Sequence, residues 1–209
     1  SHNNARTVYG VLDSMSATIT SLALFTNITW PFFTLPHYEV RGRQAISTTG
    51  SDFVALSPVV TEETKLLWEQ YALENQGWIE ESLVFAGDLE EGAEISSIPT
   101  EIYPPRDALE DTDEDVQYVP VWQMSPPPQD PSIVNFDLLS DPKFRRIFDI
   151  VIGTKHPVLS EVLDITLLFG VSAPNSSGHP QSILLEPVFQ TFNNESVVVA
   201  VVTSVLPWD

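Results

Sequence analysis

Ala5, Val8, Leu12, Met15, Ile19 and Leu22 follow one another at spacings of three, four, three, four and three. That rhythm puts one apolar stripe along a helix and predicts a helix over roughly residues 4–26. Thr18, Thr20 and Thr26 lower its intrinsic propensity, so packing has to hold it. The stripe suits a dimerising stalk, in which case the chain forms a homodimer through its N-terminal helix. It suits equally a helix laid against its own domain. Pro31 and Pro36 then forbid continuation of the helix.

Further along, residues 53–60 read as a strand closed by Pro58. Thr61 has N-cap chemistry, with Glu62 and Glu63 in the first turn of the following helix. Leu66, Leu67, Trp68, Tyr71 and Ala72 are expected on that helix's buried face, which ends near residues 75–77. Residues 116–123 alternate as a strand, with Pro120 marking an edge or a bulge. Residues 133–138 read as a strand end. A helix starts at Ser140, Asp141 and Pro142, with Phe144, Ile147, Phe148 and Val151 along one face. A short helix is expected over 159–164, then strands at 165–171, 182–189 and 197–206. The last two form an antiparallel hairpin turning at Asn193 and Asn194. This mixture indicates an α+β fold.

The chain has 209 residues, of which 43% are hydrophobic, enough for a core. Its 9 Lys and Arg stand against 29 Asp and Glu, a net charge of −20. No nucleic acid or anionic membrane is expected as a partner, because phosphate binding needs a basic surface. With 0 cysteines, disulfides, thiolate metal sites and a cysteine nucleophile are excluded. No signal peptide or transmembrane span is expected within these residues. The apolar run from Val197 to Leu206 is about half the length a span requires.

Residues 88–115 carry 11 acids and one arginine, half of the net charge. Such a run repels itself and is expected as a solvated loop that folding does not need. A calcium site there would lack the EF-hand spacing and its glycine. His2, His37, His156 and His179 share no ligand spacing, so no metal or cofactor is expected. The carboxylate spacing of a glycosidase is not legible in sequence, and an extracellular hydrolase stays a minor alternative. Asn27, Asn175 and Asn194 each begin an Asn-X-Ser/Thr sequon, which points to export and glycosylation.

Two polar or aromatic features suggest a ligand site. Asp137 lies between Phe136 and Leu138 in an apolar setting, where a carboxylate needs a partner. That partner is either a ligand's donor group or the backbone amides of the following helix. Tyr118 and Trp122, four apart on the expected strand, share a face and suit either a pocket wall or the core.

The order of these motifs resembles a CHASE domain, the extracellular sensor module of receptor histidine kinases, cytokinin receptors and receptor nucleotide cyclases. The resemblance covers residues 50–206. It rests on Phe53 to Val60, on Trp68 with Glu69, and on Tyr118 to Val121. It rests further on Phe136 to Pro142, on Val158, Leu159 and Ser160, on Leu184 to Phe189, and on Val198 to Val205. Lys65, the long acidic gap from Gly87 to Gln117, and Asn135 in place of a glycine depart from the family pattern. The stretch ending in Gln123 and the terminal Pro207, Trp208 and Asp209 look closest to receptor-type guanylate or adenylate cyclases of microalgae.

The resemblance implies a long N-terminal helix followed by two PAS-like lobes with antiparallel sheets. The stalk and connection would occupy residues 1–50, a membrane-distal lobe 51–175, and membrane-proximal strands 176–209. It implies a small-molecule ligand held by Asp137 and lined by Leu159, with Trp122 and Tyr118 as the wall. It implies a non-enzymatic ectodomain on the extracellular face of the plasma membrane, with membrane helices outside this chain. A pocketless domain for dimerisation or partner binding is the alternative.

Overall fold

In a computed structural model the chain is described over residues 2–88, 95, 97–104, 117–128, 130–162, 180–193 and 195–208, with the backbone alone for residues 2–5. The first helix, α1, runs His2–Phe25, and α2 runs Tyr38–Thr49. Strands β1 (Phe53–Pro58) and β2 (Val60–Thr61) lead into α3 (Glu62–Glu74) and α4 (Gly77–Ala86). After β3 (Gln117–Tyr118) and β4 (Gln123–Ser125) come two 3-10 turns, α5 (Pro142–Thr154), β5 (Val158–Leu159), β6 (Gln181–Phe189) and β7 (Val198–Pro207).

The architecture is α+β. Five strands form one antiparallel sheet in the order β4-β1-β7-β6-β5, and β2 and β3 form a separate two-stranded ribbon. Thus β6 and β7, expected in a second lobe, pair with β5 and β1 in the same sheet as the strands expected in the first. The hairpin of β6 and β7 forms as its turn residues predict.

Because side chains alternate along a strand, β1 and β6 feed both faces of the sheet. Val54, Leu56, Leu184 and Val188 point to one side and pack with Val8, Leu12, Met15 and Ile19 of α1 and with Tyr38 and Ala45 of α2. Phe53, Ala55, Ile183 and Leu185 point to the other and pack with Phe144, Ile147, Phe148 and Val151 of α5. All four of those α5 residues are buried, as their spacing predicts. A third cluster, at the β4 edge, joins Trp68 and Ala72 of α3, Trp78 and Ile79 of α4, Tyr118 and Trp122.

The stripe on α1 is therefore occupied by the chain's own sheet: Leu12 and Ile19 have 0% exposure. Of the two readings its spacing allows, the helix laid against its own domain is the one found. The segment Arg6–Phe25 is also long and apolar enough, by length and composition, to cross a membrane, which the sequence reading did not expect. Ser16 Oγ donates to Pro187 O at 2.7 Å and Thr20 Oγ1 to Phe189 O at 2.9 Å, so the hydroxyls that weaken the helix intrinsically fasten it to β6.

The segment after α1 is tied down by a side chain acting as a strand: Gln123 Oε1 accepts from Leu35 N at 2.7 Å, and Gln123 Nε2 donates to Leu35 O at 3.0 Å. That clamp carries the chain into α2, which was not expected. Gly50 ends α2 at φ 73, with its N–H donating to Ile46 O, a left-handed cap that glycine adopts without steric cost.

Several local expectations need correction. Leu66 and Leu67 are 78% and 57% exposed, because only Trp68 and Ala72 of α3 are buried. Residues 116–123 do not form one strand: β3 pairs with β2, β4 pairs with β1, and the break lies at Pro120, which bridges to Asp137. Of residues 133–138, expected as a strand end, Phe136 and Asp137 make isolated bridges to Tyr103 and Pro120, between 3-10 turns at 131–133 and 138–140. Val158 and Leu159 are a strand, where a helix was expected to begin at Leu159. The strand expected at 165–171 lies outside the described residues, as do most of 88–115. Within that acidic segment, however, Ile102 is buried and Ile95 and Ile98 pack on the third cluster, so part of it belongs to the body.

Candidate functional site

Of the residues expected to hold a ligand, Asp137, Tyr118 and Trp122 lie near one another but are committed to the fold, and Leu159 lies apart from them. Asp137 is fully buried. Its Oδ1 accepts from Val119 N at 2.9 Å and from Leu139 N at 3.1 Å. It caps the 3-10 turn at Leu138–Ser140, whereas α5 is capped by Asp141, whose Oδ1 accepts from Lys143 N and Phe144 N. The amide pair thus supplies the partner that a buried carboxylate requires.

Trp122 also has 0% exposure. It meets Trp68 edge-on at 5.1 Å between ring centroids and Trp78 at 5.9 Å, and its Nε1 donates to Thr34 Oγ1 at 3.0 Å. Such edge-to-face aromatic packing contributes beyond area burial. Tyr118 joins the same cluster from β3; its hydroxyl donates to Glu62 Oε2 at 2.7 Å, and Lys65 Nζ sits 4.8 Å from its ring centroid. These aromatics pack against one another as core residues do.

Leu159 is elsewhere. It lies on β5, the edge strand, and with Val158, Ser160 and Glu161 faces Lys143, Arg146, Ile147 and Ile150 of α5 across a cleft of about 240 Å³. Its lining combines the apolar Ile147, Ile150, Val158 and Leu159 with two cations one turn apart, Lys143 and Arg146, and one carboxylate, Glu161. Neither cation forms an ion pair with a described residue. For a chain with only 9 basic residues, two at one cleft against the single Glu161 leave a local excess of positive charge in a strongly acidic background. Sequence reasoning named Leu159 only through the family resemblance and missed Lys143 and Arg146, although their spacing of three on α5 was readable.

The cleft is coupled to α1 through the sheet. Leu159 pairs with Leu184 of β6, Ser160 N donates to Ile183 O, and Ile183 N donates to Ser160 Oγ. The same β6 accepts the hydroxyls of Ser16 and Thr20 from α1 at its other end. One strand therefore separates the cleft from the long helix.

A larger groove of about 340 Å³ runs between α1 and α2, floored by Gly10, Val11, Ser14, Met15 and Thr18 and walled by Arg41 and Gln44. His37 pairs through Nδ1 with Glu81 Oε1, and His156 is exposed. No group of three or more His, Asp or Glu is placed to hold a metal among the described residues. Asn27 is exposed just past α1, at φ 53, where a glycan can be attached; Asn175 and Asn194 lie outside the described residues. No protein-family model matches this chain, and no curated protein matches its sequence.

Proposed function

We propose that this chain is the ligand-sensing ectodomain of a membrane receptor, of the receptor-cyclase kind that the CHASE-like motifs imply, and that its small-molecule ligand enters the α5–β5 cleft. The observation that carries the reading is that cleft's position: its edge strand is hydrogen-bonded to β6, and β6 is fastened to α1. A ligand that prefers one spacing of α5 and β5 biases that strand, and the bias reaches the helix by direct contact. Leu159 keeps its ligand-lining role in this reading. Asp137, Trp122 and Tyr118 shape the fold beside it instead of touching ligand. The single five-stranded sheet supports one PAS-like unit over the described residues, completed by β6 and β7.

The lining of the cleft suits a small molecule with an apolar body and an anionic head: Ile147, Ile150, Val158 and Leu159 for the body, and Lys143 and Arg146, opposed by the one carboxylate Glu161, for the head. The exposed Asn27 sequon supports an extracellular setting. A homodimer through α1 would use the outward face of the helix, since its stripe is taken.

Thermal melting with hexanoate, and with neutral hexanamide as control, tests the site. The acid should raise the melting temperature of wild type and leave Lys143→Glu/Arg146→Glu unmoved. Equal shifts in both proteins, or a shift with the amide alone, would remove the cleft from the reading.

A second reading is favoured by a specific observation. Leu66, Leu67 and Leu73 lie exposed on α3, at 78%, 57% and 60%. With the Asp137–Trp122 region filled, a partner-binding ectodomain without a ligand pocket accounts for both facts.

A further inference from the structure

Glu186 sits in the middle of β6 with 4% exposure, and its Oε2 makes no hydrogen bond. It alternates with Leu184 and Val188, so its side chain is on the face that α1 covers. α2 covers the same face over β1 and β4, with Tyr38, Glu39, Arg41 and Arg43 as its titratable residues. Beyond residues 1–5, α1 brings Arg6, Tyr9 and Asp13 as its titratable side chains, and Arg6 is exposed two turns before Asp13. The neighbouring strand β7 presents Val202 opposite Glu186 and has no titratable residue, and β5 has none either. On β6 itself Glu186 is the sole titratable residue. Asp13, exposed one turn before Ser16 on α1, is a charge of the same sign on the helix that covers Glu186.

We propose that Glu186 is a proton-operated latch for α1: uncharged, it lets the helix seat on the sheet, and ionised beside Asp13 it drives the helix away. The helix is held next to that place by the Ser16 and Thr20 hydroxyls, which donate to Pro187 O and Phe189 O, one and three residues beyond Glu186 on β6. Charging a carboxyl whose Oε2 is buried without a hydrogen-bond partner at the start of that seam strains the attachments, because the charge gains full solvation when α1 lifts. This latch acts on the same strand that links the α5–β5 cleft to α1, but it stands on geometry independent of that cleft.

The direction of the pH effect follows from linkage. Burial first, and the Asp13 charge second, push the Glu186 carboxyl up to about 8. A carboxyl raised in the closed state favours closure fully below its ordinary value and progressively less as pH rises to about 8. Between those limits the closed state holds one proton more than the open one. The opening equilibrium of α1 therefore rises by about tenfold per pH unit and levels off beyond about pH 8.

Amide hydrogen exchange of the whole chain, corrected for intrinsic exchange and followed from about pH 6 to 9, tests the latch. Protection of Val8 to Thr20 in wild type should fall by about tenfold per unit and then flatten. In Glu186→Gln it should stay constant, and in Asp13→Asn the flattening should move to lower pH. Protection of α5, on the other face of the sheet, should not follow α1. Equal pH dependence in wild type and Glu186→Gln overturns the proposal, as does a parallel loss in α5. Should Glu186→Gln not fold, a carboxyl NMR titration of Glu186 in wild type decides: a midpoint in the ordinary carboxylate range overturns the latch, and one well above it supports it.

Discussion

Trp68 Nε1 donates a hydrogen bond of 3.0 Å to Asn135 Oδ1, tying α3 to the turn that leads into Asp137. Asn135 holds φ 64, the left-handed region, and its Nδ2 donates to Pro99 O and Thr100 O. Asn135→Gly would relieve the backbone but leave the buried indole N–H without an acceptor. A loss of about 1–3 kcal/mol is expected in urea denaturation. A more stable glycine variant would show that backbone strain outweighs the three side-chain bonds.

Asp137→Ala orphans the amides of Val119 and Leu139, at about 1–3 kcal/mol for each buried donor. Asp137→Asn keeps an oxygen at that position and should cost clearly less. If chemical denaturation finds the two substitutions equal, the amide pair is not what Asp137 contributes.

Gly42 permits a close approach of α2 to β4: a Cβ there would stand 2.2 Å from Ser125 Cβ, inside contact distance. Gly42→Ala should destabilise by about 1–3 kcal/mol despite alanine's better helix propensity. Ser125→Gly should recover part of that loss in the double variant. Independent, additive costs would mean the two atoms do not collide.

Leu12→Glu puts a charge where the side chain has 0% exposure and should abolish cooperative folding. Leu66→Glu, at 78% exposure, should shift stability by no more than about 0.5 kcal/mol. Circular dichroism melts separate these outcomes. A folded Leu12→Glu with altered association would instead mark the stripe as a contact between copies.

Ile102, 3% exposed, places part of the acidic segment in the body, and its N–H donates to Glu69 Oε1. Ile102→Ala should cost about 2–5 kcal/mol. Replacing 88–115 with a short Gly/Ser linker should lower the melting temperature rather than preserve it; an unchanged value would restore the reading of a dispensable loop.

Local chemistry carried much of the fold. The period of α1, the proline and aspartate opening α5, and the hairpin of β6 and β7 are short-range patterns, readable because a helix turn or a strand pleat repeats within a few residues. The helix α2 was not legible: its residues have little apolar periodicity, and it is seated by Tyr38 and Ala45 on a sheet made of distant segments.

The residue pattern determined that α1 has one apolar face, that α5 begins at Pro142 and that Asp137 needs a partner. It left open which partner each would meet. Only the tertiary structure decided that β6 and β7 lie beneath α1, that two backbone amides satisfy Asp137, and that Leu159 shares a cleft with Lys143 and Arg146. The reason is physical: periodicity tells which face of an element avoids water, whereas burial, pairing and charge perturbation depend on surfaces brought together from far along the chain.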